Sequence, residues 1–215
     1  MGNRAVIRGL NQDMGVYVHW NGGYDSVLAF TQYCKLKGYR SPETDSYGLA
    51  RLAQVIGNFF GGGLSLGLWN MSDTKELTPK IVEDMWLDNG VYEIRNWEIV
   101  KHWDPDIVIT EPEISEYELK NSLLCIDSCM PESEKLGKDF LSADVINTSE
   151  LKIGDKVFVY DQIYGKYELQ TVIGFGDTDW LNGRNVKGKP YTDRYEERSE
   201  GNINAYILTD KIRKI

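Results

Sequence analysis

One stretch of this chain concentrates residue types that can do chemistry. It runs from Val18 through His19, Trp20, Asn21, Gly22, Gly23, Tyr24 and Asp25 to Ser26. A strand end passing through a Gly turn into a helix N-terminus presents backbone N–H groups to an anion, and the helix dipole assists. Trp20 and Tyr24 can stack on a base, while His19, Asn21 and Asp25 can meet its polar edges. The plainer account is a strand–turn–helix connection in which Asp25 or Ser26 caps the helix. A second stretch, Gly57 to Ser65, holds Asn58, Phe59 and the consecutive Gly61, Gly62 and Gly63. Three glycines permit positive φ and close approach by another group, although helix termination with tight packing is simpler. No Lys-Ser/Thr pair follows and a helix precedes the glycines, so this is not a P-loop. Arg51 and Gln54 lie on the polar side of that helix, where Arg51 can clamp a phosphate or carboxylate with two N–H groups.

Other chemistry is thinly supplied. The two histidines, His19 and His102, are far apart in sequence, and the chain contains no G-x-S-x-G, H-E-x-x-H or Walker lysine. Asp177 and Asp179 imitate the start of a Ca²⁺ loop, but the glycine at 183 is one place late and no Glu closes the loop. Cys125 and Cys129 fall at i, i+4, yet two thiols do not complete a zinc site. With Cys34 they make an odd count, which reads as free thiols in a reducing compartment. No metal and no cofactor are expected.

The elements that must position these residues follow from periodicity. Ala5–Arg8 and Val16–Trp20 read as strands around a polar turn. A helix then runs to Gly38, with Val27, Phe30, Thr31 and Cys34 on one face. Asp45 or Ser46 caps a second helix to about Phe60, with an apolar stripe of Leu49, Leu52, Ala53, Ile56, Phe59 and Phe60. Leu64–Trp69 alternates as a strand, and Val91–His102 reads as a hairpin turning at Arg95-Asn96. Ser115–Cys129 reads as a helix. Lys156–Tyr160, Tyr167–Phe175 and Ala205–Leu208 read as strands, with a polar loop from 177 to 200.

Of 215 residues, 24 are Lys or Arg and 33 are Asp or Glu, for a net charge of −9. Residues 104–149 alone hold 3 of the bases and 11 of the acids. This shift marks boundaries. The expectation is an α+β protein in three parts. Residues 1–103 form an α+β domain with two helices and about five strands. Residues 104–149 form an acidic helical linker, and residues 150–215 a small SH3-like β-barrel. No apolar run suits a bilayer. No apolar leader is visible near the N-terminus, so a cytoplasmic protein is expected. The absence of any Lys/Arg cluster argues against direct nucleic-acid binding.

The strings MGNRAVI, HWNGG, IGNFFGGGLS and DNGVY, within residues 1–101, resemble a family of uncharacterised proteins encoded by phages, prophages and integrative elements of bacteria. The resemblance implies a bacterial host cytoplasm and an accessory role against host immunity. It carries His19, Trp20, Asn21, Gly22, Gly23, Asp25, Ser26, Tyr47, Arg51, Gln54, Asn58 and Gly61 to Gly63 as candidate site positions. The leading reading is a non-catalytic binding protein, with no membrane association, whose partner is a small nucleotide-like ligand or a host defence protein. In the first version Trp20, Tyr24 or Phe59 stacks on a base, and Arg51 with backbone amides takes phosphate. In the second the acidic segment is the surface. An enzyme cleaving a nucleotide or glycosidic bond with His19 and Asp25 is the alternative. A third reading is an acidic DNA mimic of the anti-restriction or anti-CRISPR kind, using Glu111, Glu113, Glu116 and Glu118. A homo-oligomer is compatible with all three.

Overall fold

The structure is a computed structural model that describes residues 2–62, 66–72, 77–104, 113–161, 166–177, 181, 184–195, 206–207 and 209–215. It is an α+β protein whose chain divides into two compact units, Met1–Lys135 and Leu136–Ile215. Two sheets and five α-helices are present among the described residues.

In the first unit, β1 (Ala5–Gly9) pairs antiparallel with β2 (Met14–Val18), which pairs antiparallel with β3 (Leu66–Asn70). On its other side β1 pairs parallel with β4 (Val91–Arg95), and β4 pairs antiparallel with β5 (Glu98–Trp103). The order is therefore β3-β2-β1-β4-β5, with β1 in the centre and fully buried. The parallel β1–β4 pair needs a long crossover, and α1 (Tyr24–Leu36) and α2 (Ser46–Phe59) lie within it. The expected face of α1 is the buried one, including Val27, Phe30, Thr31 and Cys34. Asp45 caps α2 by accepting from the Gly48 N–H at 3.1 Å.

The other sheet face is covered as well. Val6 and Val91 pack there with Met71, Leu77, Val82 and Leu87, the last four from residues between β3 and β4. Those residues include α3 (Pro79–Asp84), capped by Thr78. Sequence reading leaves this helix out, because six residues are too few to display a 3.6-residue period. Arg8 and Glu93 face each other within this layer as a buried ion pair at 2.7 Å, and Trp103 donates to Glu93 at 3.1 Å.

The acidic segment differs from expectation. Its helix α4 (Glu116–Ser128) belongs to the first unit and does not stand apart as a linker. Leu123 and Ile126 are buried, and the Tyr33 hydroxyl of α1 donates to a buried Asp127 oxygen at 2.7 Å. Charge summed over a segment does not report which residues of its helix are buried, and here Leu123, Ile126 and Asp127 are.

The second unit holds α5 (Lys138–Ser142) and strands β6 (Asp144–Asn147), β7 (Lys156–Asp161), β8 (Lys166–Phe175), β9 (Pro190–Thr192) and β10 (Lys211–Lys214). Leu151, Val157, Val172, Ile207 and Ile212 form its core. The strand order is β6-β10-β7-β8-β9, and among the described residues no pairing closes β9 onto β6. The expected SH3-like barrel is therefore not confirmed by the described strands, which form a sheet of five. Strand periodicity reports which residues alternate, whereas closure requires the two edges to meet in register. The polar loop contributes β9, and the expected strand Ala205–Leu208 survives as a single bridge between Tyr206 and Tyr191, with residues 205 and 208 outside the described set. No helix among the described residues is long and apolar enough to cross a membrane.

Candidate functional site

The parallel β1–β4 pairing brings the starts of β1 and β4 to the same sheet end as the finish of β2 and β5. Both histidines are there. The His19 carbonyl accepts from the Asn3 N–H at 3.0 Å, and the Asn3 carbonyl accepts from the Gly22 N–H at 2.9 Å. Asn89 donates from its side chain to Asn3 at 2.7 Å, and its carbonyl lies 2.9 Å from His102 Nε2. A carbonyl only accepts, so Nε2 of His102 carries a proton. The His102 ring stacks on Tyr92 at 4.0 Å with an 11° interplanar angle, and Tyr24 at the head of α1 lies 6.4 Å away. Asp104 stands 3.8 Å from the same nitrogen. Tyr17 Oη is 3.0 Å from His19 Nδ1, and Trp20 packs edge-on against His19 at 5.0 Å. Sequence reading pairs His19 with Asp25 and leaves His102, Asn3 and Asn89 aside. The partners are some 80 residues apart, and no local pattern announces a parallel pairing.

The turn residues divide by role. Asn21 takes a left-handed φ of 57°. Gly22 is buried, and a Cβ there would sit 2.6 Å from the Asn3 carbonyl oxygen, so glycine is required for packing. Gly23, not Asp25 or Ser26, is the N-cap of α1, and it supplies no side-chain bond. Asp25 is exposed in the first turn, where its charge suits the helix dipole.

The glycine run ends α2. Gly61 and Gly62 have φ of 62° and 79°, and the Gly61 N–H donates to the Asn58 carbonyl at 3.0 Å. A Cβ on either would meet nothing within 4 Å, so the expected tight packing is absent at these two. Gly63 lies outside the described residues. Phe59 packs edge-on against Phe30 at 5.3 Å, and Asn58 reaches the Met130 sulfur at 3.5 Å. Both are structural contacts.

Arg51, Gln54 and Tyr47 do not join the histidine end. Arg51 bonds Gln54 at 2.6 Å and lies over the Tyr39 ring, which follows the C-terminus of α1. Arg40 lies over Tyr47 and pairs with Asp45. The turn before α1 is thus separated from Arg51 by the helix length, about 20 Å for 13 residues. A phosphate held at the turn is out of reach of Arg51.

Of the acidic candidates, Glu113, Glu116 and Glu118 are exposed and Glu111 lies outside the described residues. Glu118 is committed to a capping box, accepting from the Ser115 N–H at 3.0 Å and hydroxyl at 2.7 Å. These bonds hold its pKa below the usual carboxylate range. Cys125 and Cys129 are exposed, and Cys34 is buried with its thiol pKa pushed up by burial. No cluster of three or more metal-ligating side chains occurs among the described residues.

Beside the histidine end, Arg4 grips Asp88 through two N–H groups at 2.8 and 3.0 Å, tying the start of β1 to the approach to β4. Hydrogen bonds from Arg4 hold the Asp88 pKa at about 2, against an ordinary 3.8. A depressed folded-state value adds stability above the unfolded pKa and loses it as pH falls through the folded one. Urea unfolding of the wild type and Asp88→Asn is expected to show a constant gap above pH 5 that closes between about pH 4 and pH 2.

One feature lies outside every sequence-derived candidate. A groove of about 850 Å³ runs between α2 and β3. Leu49, Ala50 and Ala53 line its helix side, and Leu66, Gly67 and Leu68 its strand side. Gln12, Asp13, Asp45 and Ser46 line it as polar groups, with Met14 and Pro42 completing the wall. The α2 stripe is wider than its core: Leu52, Val55 and Ile56 are buried, while Leu49 and Ala53 are half-exposed and Ala50 exposed. Leu68 is 66% exposed although its alternation reads as core. Among the described residues it belongs to the last strand of the sheet on that side.

Comparison of the chain with protein-family models, with curated proteins and with solved structures returns no match.

Proposed function

We propose that this chain is a non-catalytic binding protein of a bacterial mobile genetic element, acting in the host cytoplasm against a host defence protein. The observation that carries the reading is the open apolar groove between α2 and β3. Exposed large apolar side chains gathered around a concavity mark an interaction site, where scattered ones would not. Met14 and Leu68, 36% and 66% exposed, flank it. The resemblance of residues 1–101 to phage and prophage proteins supplies the host context.

The test uses Leu68→Asp. The side chain is mostly in solvent, so the variant is expected to melt within about 2 °C of the wild type, as surface changes usually stay within ~0.5 kcal/mol. It is expected to lose protection of a challenging phage in defence-carrying bacteria by at least tenfold in plating efficiency. Unchanged plating by a folded variant refutes the groove as the site.

A second reading is favoured by one observation, the gathering of His19, His102, Trp20 and Tyr24 at one sheet end. There the protein sequesters a small nucleotide-like signal. Melting against mono-, di- and cyclic nucleotides checks it. A ligand at 100 times its Kd adds about 2.7 kcal/mol, and Trp20→Ala is expected to abolish the shift.

A further inference from the structure

We infer that the occupant of the α2–β3 groove is an extended strand of the partner protein, with alternate aliphatic side chains and a Lys or Arg at one end. It adds to the sheet as a sixth strand beside β3. The inference rests on the binding reading above and specifies its partner.

Three observations on the groove lead here. First, consecutive residues of a strand point to opposite faces, yet Leu66, Gly67 and Leu68 all line the groove. It is therefore open to the β3 backbone as well as to one face. Among the described residues β3 is the terminal strand of its sheet, and a terminal strand presents N–H and C=O groups to an added one. Second, the size suits a strand. The five residues of β3 span about 17 Å. A strand lies about 4.8 Å from its neighbour, so an added segment of that length continues the ladder beside β3. Leu49, Ala50 and Ala53 then form the wall that receives the side chains on its helix-facing side. Third, the charged side chains of the lining are both carboxylates, Asp13 and Asp45. Asp45 is engaged by Arg40 at 2.9 Å. Asp13 is exposed in the β1–β2 turn and is the anion placed to take a cation from the occupant.

The experiment selects ten-residue peptides from a random displayed library on the full-length protein, with counter-selection on Leu68→Asp. Synthetic peptides from the pool are then titrated, and amide exchange is followed in the protein. The expected pool has aliphatic residues at every second position and one terminal Lys or Arg. Binding is expected to protect amides within residues 66–70. Changing the peptide cation to Glu is expected to weaken binding about tenfold, and Asp13→Lys to restore it. Aliphatic residues spaced three and four apart would overturn the strand in favour of a helix. A pool insensitive to Leu68→Asp, no enrichment, or self-association of the wild type lost in Leu68→Asp would overturn it also, the last in favour of a second copy. The two readings fail separately. Strand peptides with undiminished phage protection by Leu68→Asp keep this inference and remove the defence role. Lost protection with a helical pool does the reverse.

Discussion

Glu93→Gln is expected to destabilise the first unit by about 3–5 kcal/mol, read as the drop in urea unfolding free energy at pH 7. Glu93 is 3% exposed and Arg8 9%. The carboxylate accepts from Arg8 Nε and Nη2 through one oxygen and from the Trp103 indole through the other, with Lys101 at 3.6 Å. The amide keeps the shape and removes the charge, so the Arg8 guanidinium is left buried without a counterion. Breaking one side of a buried pair is costly, whereas replacing both sides by apolar groups is often neutral. Arg8→Met with Glu93→Leu is therefore expected to recover most of the loss. Lys101, 53% exposed, turns to solvent in that background. A double variant as unstable as the single one would show that the site works through shape and the Trp103 bond, and not through charge.

The second large effect is expected at Gly90. It has a φ of 62°, and a Cβ there would overlap the Trp103 carbonyl oxygen of β5. Gly61 has the same φ and open space around its Cβ position. Gly61→Ala is thus expected to cost only the left-handed strain, about 1–2 kcal/mol. Gly90→Ala adds a backbone collision that only separation of β4 from β5 can relieve, and is expected to exceed 4 kcal/mol or to prevent folding. The site follows, because the Gly90 carbonyl accepts from Val6 at 3.0 Å and the adjacent Asn89 carbonyl meets His102. In any folded fraction, the His102 ring proton signals are expected to lose the ring-current shift from Tyr92. Equal costs at the two glycines would mean that φ alone governs position 90.

These outcomes bear on different scales of the sequence. The local ones are legible in it. The α1 face through Val27, Phe30, Thr31 and Cys34, the Asp45 cap and the β4–β5 hairpin all follow from short-range rules, because each is decided by residues within four or so places of one another. The turn from Lys152 to Asp155 before β7 is likewise a local hydrogen-bonding matter, with the Lys152 backbone N–H donating to the Asp155 carboxylate at 2.8 Å and the Asp155 N–H to the Lys152 carbonyl at 3.1 Å. Short elements such as α3, α5 and β6 leave too few residues for a period and are read only through their packing.

The candidate sites are where the sequence is least informative. His19 and His102 share a sheet end because β1 pairs parallel with β4 and antiparallel with β2. Pairing of that kind is set by the summed burial of whole strands and not by any residue at the site. Arg51 and the His19 turn, both phosphate candidates by residue type alone, are held apart by the length of α1.

What the sequence by itself determined is the α+β composition, the lengths and faces of the long elements and the concentration of acid between 104 and 149. What only the tertiary structure decided is which apolar residues found partners. Leu52 and Leu68 are alike as letters in an amphipathic pattern, yet one is fully buried and the other 66% exposed. Burial depends on what lies alongside, and among the described residues no strand follows β3 on the side of Leu68.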